Sequence, residues 1–521
     1  MTHSDFISLL CLGAQRKGMV IIMRKIALLL LISMLASLTA CGSGTPSADT
    51  TASSGDTTAA TNTPAVTDTL EARKLVDDEL PKKDFGGEKF LILGETDSQN
   101  DLEVEETTGD VVLDAVYKRN RTVEERFNVE LDFSLVDYYE KLATSIKTSV
   151  NAGDDSYQLV NGHAVGLGTL AMDGYLLNWC DLDYINFEKP WWSPSALDEL
   201  TYNNHSFLAV GNYALDSISQ IYCVFFNKRL VDEYSIPDPY ATVMDGKWTI
   251  DYLISITKDA YKDMNNNGKD DEQDFYGFMT NAGSQANAFF WAFDERVISH
   301  DKEKGLKVTY KDGKINEIVE KLVTMIEDNP GITHCGTTGA NFEYFTGKNQ
   351  QYTMYPNGQG IFTTCIIGGA LVSQFREMKD DFGILPYPKW DENQELYRTM
   401  ADGSHSALCA PVTVGDTERL AILTEALNAE SYKQVVPAFY DVALKVKGTR
   451  DETSVQILDM ITNGCVYDMG YVYDGWKGAS FIIQKLVREG NTNFESYWAS
   501  NSPAIIAWYD TVIDCFKGEK K

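Results

Sequence analysis

Two hydrophobic periodicities alternate along the first part of the chain. Apolar residues form short runs at 89–94 and 157–161, and they alternate with polar residues over 129–136, which is typical of strands. Between these runs, residues 111–127 and 138–150 carry apolar side chains at helical spacing. Strands that alternate with helices predict a mainly parallel sheet with helices on both faces.

A second set of elements follows a further predicted strand at 207–211. Predicted strands at 221–226 and 382–385 enclose helical patterns at 251–261 and 314–326. From residue 416 onward the pattern is mostly helical. In sheets of this kind ligands bind beyond the carboxyl ends of the strands, so polar residues that follow a strand are candidates for a site.

The N-terminal segment has the pattern of an export signal. Arg24 and Lys25 follow Met23, and the apolar run 26–38 is too short to span a bilayer. Leu38-Thr39-Ala40-Cys41 resembles the bacterial lipoprotein signal, in which the cysteine becomes the diacylated first residue. We expect residues 1–40 to be a signal region whose true start is Met23.

Lipidation of Cys41 would hold the protein on the extracytoplasmic side of the cell membrane, because two acyl chains give stable attachment. The residues that follow are mostly small or polar, so we expect 41–83 to form a disordered linker. No later run has the length and apolarity of a membrane span. The lipid is therefore the expected membrane contact of a soluble, monomeric body.

Charge and cysteine content narrow the function classes. The formal net charge is -31, which opposes binding to nucleic acids and to anionic lipid surfaces. The cysteines after Cys41 are scattered without a C-x-x-C pair, which indicates neither a zinc site nor a disulfide framework, and leaves one or two disulfides open. H-E-x-x-H, G-x-S-x-G and P-loop motifs are missing from the sequence, so we do not expect an enzyme.

Several short sequence segments resemble those of extracellular solute-binding proteins of family 1, the maltose-binding-like substrate-binding lipoproteins of ABC transporters. These segments are 117–128 (YKRNRTVEERFN), 246–249 (GKWT), 276–278 (YGF) and 382–389 (FGILPYPK). The resemblance implies an α/β fold of two lobes (type II), each a mainly parallel sheet flanked by helices, with a hinge between them.

The family resemblance also implies the course of the chain between the lobes. Crossings are expected near 214–219, 396–402 and 445–449. The expected segments are 84–214 and 402–445 for lobe one, and 219–396 and 449–521 for lobe two.

A calcium-loop pattern occupies residues 263–274. Its spacing offers oxygen ligands, a turn glycine at Gly268, a backbone carbonyl and a closing carboxylate. The predicted ligands are Asp263, Asn265, Asn267, Lys269 (through its carbonyl), Asp271 and Asp274. The alternative is an Asn- and Gly-rich turn after the preceding helix.

Ligand-binding candidates come from loops and strand ends. Aromatic faces suit the C–H faces of sugars, and planar polar groups suit their hydroxyls. The predicted ligand-binding residues are Glu95, Asn161, His163, Tyr213, Asp216, Gln285, Trp291, Asn357, Asp402 and Trp476.

The sequence thus predicts a lipid-anchored receptor that delivers a small polar solute, a sugar or oligosaccharide, to ABC permease subunits. Two alternatives remain: an extracytoplasmic glycan-acting enzyme such as a glycosidase, and a receptor that presents its ligand to a membrane sensor kinase.

Overall fold

The computed structural model describes residues 70–269, 271–301, 305–335, 350–445 and 452–518. The predicted signal region, Cys41 and the linker up to residue 69 lie outside the described residues. Most of the predicted crossing near 445–449 does as well. Within the described part of the chain, no helix is long and apolar enough to cross a membrane.

The strands of the described chain, in sequence order, are β1 (Glu88–Glu95), β2 (Val129–Val136), β3 (Leu159–His163), β4 (Tyr222–Asn227), β5 (Tyr276–Asn281), β6 (Ile298–Asp301), β7 (Gly305–Val308), β8 (Ile332–Cys335), β9 (Gly360–Ile366), β10 (Phe382–Leu385), β11 (Thr399–Met400), β12 (Ser406–Cys409) and β13 (Cys465–Val466).

The α-helices are α1 (Leu70–Arg73), α2 (Gln99–Leu102), α3 (Val111–Phe127), α4 (Tyr139–Ala152), α5 (Ala164–Met172), α6 (Pro194–Leu200), α7 (Asp216–Ser219), α8 (Lys228–Glu233), α9 (Pro239–Met244), α10 (Ile250–Thr257), α11 (Ser284–Ala292), α12 (Ile315–Glu327), α13 (Gln350–Thr353), α14 (Ser373–Arg376), α15 (Thr417–Glu430), α16 (Val436–Lys445), α17 (Glu452–Asn463), α18 (Met469–Val472), α19 (Ile482–Arg488) and α20 (Phe494–Lys517).

Local signals explain the boundaries of the longer helices. Asp110 precedes α3, and its carboxylate accepts hydrogen bonds from the backbone N–H groups of Val112 at 2.9 Å and Leu113 at 3.2 Å. The helix ends where Asn128 takes a left-handed φ of 47°. It buries a stripe that includes Val116 and Val123 at helical spacing, as the sequence predicts.

The first sheet, which we call sheet one, has the strand order β12-β3-β1-β2. β1 pairs in parallel with β2 and with β3, whereas β12 pairs antiparallel with β3. The predicted strand at 207–211 is wrong as a full strand. In that stretch Ala209 pairs with Leu408 and Gly211 pairs with Trp192, each as an isolated bridge.

The second sheet, sheet two, has the order β10-β4-β9-β5-β8. β5 pairs in parallel with β8 and β9, and the pairings of β4 with β9 and with β10 are antiparallel. The two-lobed α/β fold is therefore confirmed, with a mixed sheet in each lobe. The antiparallel neighbours β12 and β4 are the strands that enter each sheet from the other lobe.

Two described segments connect the sheets, and both lie where the sequence predicts crossings. Residues 214–219 contain α7 and lead into β4, and residues 396–402 contain β11 and lead towards β12. The segments also contact each other, because the backbone N–H of Asp402 donates to the carbonyl of Gln220 at 3.0 Å. The exact lobe boundaries stay a prediction.

The predicted linker is too long at its C-terminal end, because residues 70–83 pack on the body. The guanidinium of Arg73 lies 4.8 Å from the centre of the Tyr432 ring. Arg126 donates from Nη2 to the buried carboxylate of Asp78 at 2.9 Å. Apolar burial and a buried ion pair thus fix this stretch before β1 begins.

The segment from Asp468 to Trp476 contacts elements of both lobes. The buried carboxylate of Asp468 accepts hydrogen bonds from the Trp291 indole at 2.9 Å, from the N–H groups of Ile298 and Gly470 at 3.2 and 2.7 Å, and from the N–H of Val297. On the other side, a Cβ at Gly168 in α5 would lie 2.4 Å from the carbonyl oxygen of Val472. Only glycine permits this close approach.

We predict that Asp468→Ala lowers the free energy of unfolding by about 3 kcal/mol or more, because it leaves several buried N–H donors without an acceptor. Urea unfolding would measure the change. Asp510→Ala is the matched control, since Asp510 is an exposed carboxylate on α20. A loss no larger than that of the control would contradict the anchoring role of Asp468.

Candidate functional site

Three neighbouring parallel strands bring side chains to one edge of sheet one. β1 ends at Glu95, β3 ends at His163, and Tyr139 begins α4 shortly after β2. The backbone N–H of His163 donates to Oε1 of Glu95 at 2.8 Å and so joins two of these strand ends. A carboxylate, an imidazole and a phenol ring therefore share this edge.

His163 is held as a neutral ring. Its Nδ1 accepts a hydrogen bond from the N–H of Gly166 at 3.2 Å, so the ring proton is on Nε2. Burial lowers the pKa of His163 to about 4, although the carboxylate of Asp402 acts in the opposite direction. The imidazole carries no charge near neutral pH.

Trp476 covers this edge from the C-terminal part of the chain. Its ring centre lies 4.9 Å from that of Tyr139 in a stacked arrangement and 5.9 Å from that of His163. The Tyr139 and His163 ring centres are 5.0 Å apart. We call Tyr139, His163 and Trp476 the aromatic platform.

Two features of Trp476 distinguish it from the buried tryptophans. Its side chain is 49% exposed, so part of the indole is open to solvent. Its backbone φ is 58°, in the left-handed region that a bulky residue rarely adopts, and Gly475 before it has φ 56°. Strained backbone of this kind clusters at ligand-contacting positions.

Two carboxylates fix the connecting segments beside the platform. Asp216 accepts hydrogen bonds from the N–H and Oγ of Ser406 at 3.1 and 2.6 Å and from Oγ of Ser98 at 3.3 Å. Asp402 accepts from the Tyr222 hydroxyl and, at 2.9 and 2.7 Å, from the N–H and Oγ of Ser404. Asp216 thus joins the first connection to lobe one, and Asp402 joins the second connection to β4.

Burial perturbs the carboxylates of this region. The N–H of Asp216 donates to Oδ2 of Asp101 at 3.1 Å. Burial, reinforced by the charge of Asp216, raises the pKa of Asp101 to about 7. Burial also raises the pKa of Glu95 and of Asp216 above the ordinary carboxyl range. Part of this group therefore holds protons near neutral pH.

The structure brings five of the predicted residues into one region: Glu95, His163, Asp216, Asp402 and Trp476. Contact of each with a ligand stays a prediction. Sequence reasoning missed Tyr139 and Tyr222. Tyr139 follows the end of β2, so the rule that selected Glu95 and His163 could have selected it as well.

Two predicted aromatic contacts are corrected, because both side chains lie in the core. Trp291 is 1% exposed, and its indole N–H is used by Asp468. Tyr213 is fully buried, with the guanidinium of Arg119 4.5 Å from its ring centre. Neither ring offers a free face to a ligand.

Three polar predictions also lie away from the platform. Gln285 is buried, and its Oε1 accepts from Oγ1 of Thr364 at 2.5 Å. Asn357 lies in the turn that enters β9, at the amino end of a strand, and donates to the carbonyl of Thr353 at 2.7 Å. Asn161 is fully buried within β3, and no described group hydrogen-bonds to its side chain.

The predicted calcium loop is closed by its own hydrogen bonds. Asp263 accepts from the N–H groups of Asn267 and Gly268 at 3.2 and 2.8 Å. Nδ2 of Asn265 and Nδ2 of Asn267 donate to the carboxylate of Asp271 at 3.2 and 2.7 Å. The two amide nitrogens thus occupy the side of the Asp271 carboxylate that a bound cation would face.

The closing carboxylate of the loop is also occupied. Asp274 is fully buried and accepts from the Tyr261 hydroxyl at 2.7 Å and the Met264 N–H at 3.1 Å. Among the described residues, no group of three His, Cys, Asp or Glu side chains is placed to hold a metal ion. Calcium binding by this loop stays a prediction, and it would require the two Asn amides to rotate so that their oxygens face the ion.

No family model and no curated protein sequence matches the chain. Solved structures match it in fold. One is the galacto-N-biose/lacto-N-biose I-binding protein of an ABC transporter from Bifidobacterium longum, in complex with lacto-N-biose (TM-score 0.54, 12% identity, covering 82% of this chain and 98% of that chain). Another is a cyclo/maltodextrin-binding protein complexed with maltotetraose (TM-score 0.50, 13% identity, covering 85% and 98%). At this identity the similarity establishes the two-lobed fold.

We predict that Asp101→Asn changes how stability depends on pH. Because the native state binds this proton more tightly than the unfolded state, the contribution of Asp101 is present at low pH and is lost as pH rises through its native pKa. The stability of the wild type relative to the variant should therefore fall between the unfolded pKa of about 3.8 and the native pKa of about 7. Denaturant unfolding across this range checks it, with the exposed Asp97→Asn as the control. Parallel pH curves for wild type and Asp101→Asn would contradict it.

Calcium binding at 263–274 leads to a separate prediction. If the Asn amides rotate to present oxygens, calcium at about 1 mM should raise the melting temperature by about 2 °C, within the affinity range of extracellular modules. Asp263→Asn should remove the shift, and magnesium should not reproduce it. Equal curves with calcium and with a chelator would show that the loop is a turn only.

Proposed function

We propose that this protein is a lipid-anchored, extracytoplasmic receptor that binds a neutral sugar or oligosaccharide between its lobes and delivers it to an ABC importer. The observation that carries the proposal is the half-exposed indole of Trp476, held over Tyr139 and His163 beside the two connecting segments. A sugar ring would stack on the exposed part of this indole.

The aromatic platform supports a carbohydrate ligand on physical grounds. The C–H face of a pyranose is apolar and packs against an aromatic face. Tyr139 backs the indole in a stacked arrangement, and the left-handed backbone at Trp476 sets the direction of the ring. A platform fixed in advance loses less entropy when a ligand binds.

The polar groups near the platform favour a ligand that is not an anion. Glu95 and Asp402 are partly exposed carboxylates, which accept hydrogen bonds from hydroxyl groups. The carboxylates of Asp402 and Glu140 act on the pKa of His163, and the imidazole itself is neutral. The next residue in the chain, Lys477, directs its ammonium onto the Trp508 ring, 4.3 Å from its centre.

The connections between the lobes support a closing movement. Each passes through short elements that are joined by hydrogen bonds of Asp216 and Asp402. Hinges of this kind absorb the rotation of one lobe against the other. A ligand that touches both lobes would favour the closed form.

The membrane and importer parts of the proposal rest on sequence and on fold analogy. The lipoprotein-like signal at Cys41 supports the anchor. The protein from Bifidobacterium longum with the same fold is described as part of an ABC transporter, which supports delivery to permease subunits.

The proposal is tested first with a thermal-shift screen over neutral mono- and oligosaccharides, acidic sugars and short peptides. We expect a neutral sugar to raise the melting temperature by mass action and to be recovered unchanged. A shift with peptides alone would overturn the carbohydrate assignment. Release of hydrolysed sugar would instead support a glycan-acting enzyme.

With the best sugar in hand, we predict that Trp476→Ala weakens its affinity by about tenfold or more, since stacking and apolar contact are lost. Trp476→Phe should retain most of the affinity. Calorimetry measures both, with Trp390→Ala as the control, because Trp390 packs on Phe293 in lobe two. An unchanged affinity in Trp476→Ala would remove the platform from the binding site.

A further inference from the structure

Two cysteines lie directly opposite each other on neighbouring strands of sheet two. Cys223 of β4 pairs with Cys365 of β9 in antiparallel register. Both side chains are fully buried, and both thiols are free in the structure. Opposite residues of an antiparallel pair point to the same face of the sheet, so the two sulfur atoms share one side.

The register also gives the spacing of the two cysteines. The N–H of Ile367 donates to the carbonyl of Ile221 at 2.9 Å, which marks these two residues as a hydrogen-bonded pair. Such pairs alternate along the ladder, so Cys223 and Cys365, two residues further on, form the next one. Their Cα atoms are then about 5.5 Å apart. Disulfides have Cα separations of about 4.4–6.8 Å.

We propose that Cys223 and Cys365 form a cross-strand disulfide when the chain folds in the presence of an external disulfide. One thiolate attacks the external disulfide and gives a mixed disulfide with loss of one thiolate. The second cysteine then attacks the mixed disulfide and releases the other. The two cysteines lose two protons and two electrons, and the external disulfide is reduced to two thiols. This proposal goes beyond the receptor function and does not depend on it.

Burial sets when the bond can form. Burial raises the pKa of the Cys223 thiol well above its ordinary value and that of Cys365 to about 11. The Cys365 thiol also donates to the hydroxyl of Tyr352 at 3.3 Å. Thiolates are therefore rare in the closed sheet, and oxidation belongs to folding rather than to the finished protein.

The bond would act next to the connection between the lobes. β4 begins directly after α7, and β9 runs into the turn where a Cβ at Gly368 would lie 3.1 Å from Ser219. The bond would close a long loop of chain, and this restricts the unfolded state. The Cβ atoms must approach to about 3.8 Å for the bond to form.

The test refolds the full chain from denaturant with oxidised glutathione, and in parallel with a reductant. Remaining thiols are alkylated under denaturing conditions, and the peptides are mapped by mass spectrometry. We expect the Cys223 and Cys365 peptides to be linked in most of the oxidised chains. Alkylation of both cysteines after oxidative refolding, or linkage to another cysteine, would overturn the proposal.

Three comparisons sharpen this test. Treatment of the folded protein with oxidised glutathione should leave both thiols alkylatable, and rapid linkage there would contradict the role of burial. Cys409→Ala, which removes a buried cysteine of sheet one, should keep the link. The oxidised wild type should melt several degrees above the reduced form, and Cys223→Ala should melt equally in both conditions. If Cys223→Ala does not fold, the peptide map of the wild type decides alone.

Discussion

The parallel pairing of β1 with both β2 and β3 is the constraint on which the candidate site depends. Parallel strands end at the same edge of a sheet, so the residues after each strand meet without any closeness in sequence. The pairing places Glu95, Tyr139 and His163 together. The hydrogen bond from His163 to Glu95 then fixes two of the ends in register. A different strand order would scatter the same side chains.

The predicted residues that the structure brings into one region have a local signal in the sequence. Glu95 and His163 follow apolar runs of strand character, and Trp476 lies in a Gly-containing loop, so strand ends and turns sufficed to select them. The burial of Gln285 and Trp291 could not be predicted from such local signals. Their helix α11 follows β5 correctly, but only tertiary packing decides that it is buried along its whole length.

Other parts of the fold leave no trace in periodicity. The approach of Val472 to α5 depends on the lack of a side chain at Gly168. In the sequence, a glycine inside an apolar helix does not by itself indicate a close contact, because it can have other structural causes. The four donors that converge on Asp468 come from α11, from Val297 and the first residue of β6, and from α18, so the burial of that acid has no local signature. Asn357 is selected because it lies in a turn, but that turn precedes a strand instead of following one. The two kinds of turn have the same composition, so the sequence does not distinguish them.

The chemistry of the connecting segments bears on the hinge movement proposed above. Apolar contacts opened by a hinge would lose about 25 cal/mol for each Å² exposed, with nothing in water to replace them. The hydrogen bonds of Asp402 to Ser404 and Tyr222 can instead be exchanged for bonds to water, at a net loss of only about 1 kcal/mol each. Carboxylates therefore join the connecting segments with small, local terms, beside apolar side chains of the same segments, such as Leu215 and Met400, that are buried in the core. Trp476, close in sequence to Asp468 and stacked on Tyr139 of lobe one, is one of several apolar contacts between the lobes, and Phe207 with Phe516 is another. In the proposed receptor, a sugar on the indole would add apolar area to this contact, and the added area would favour the form in which both lobes touch the ligand.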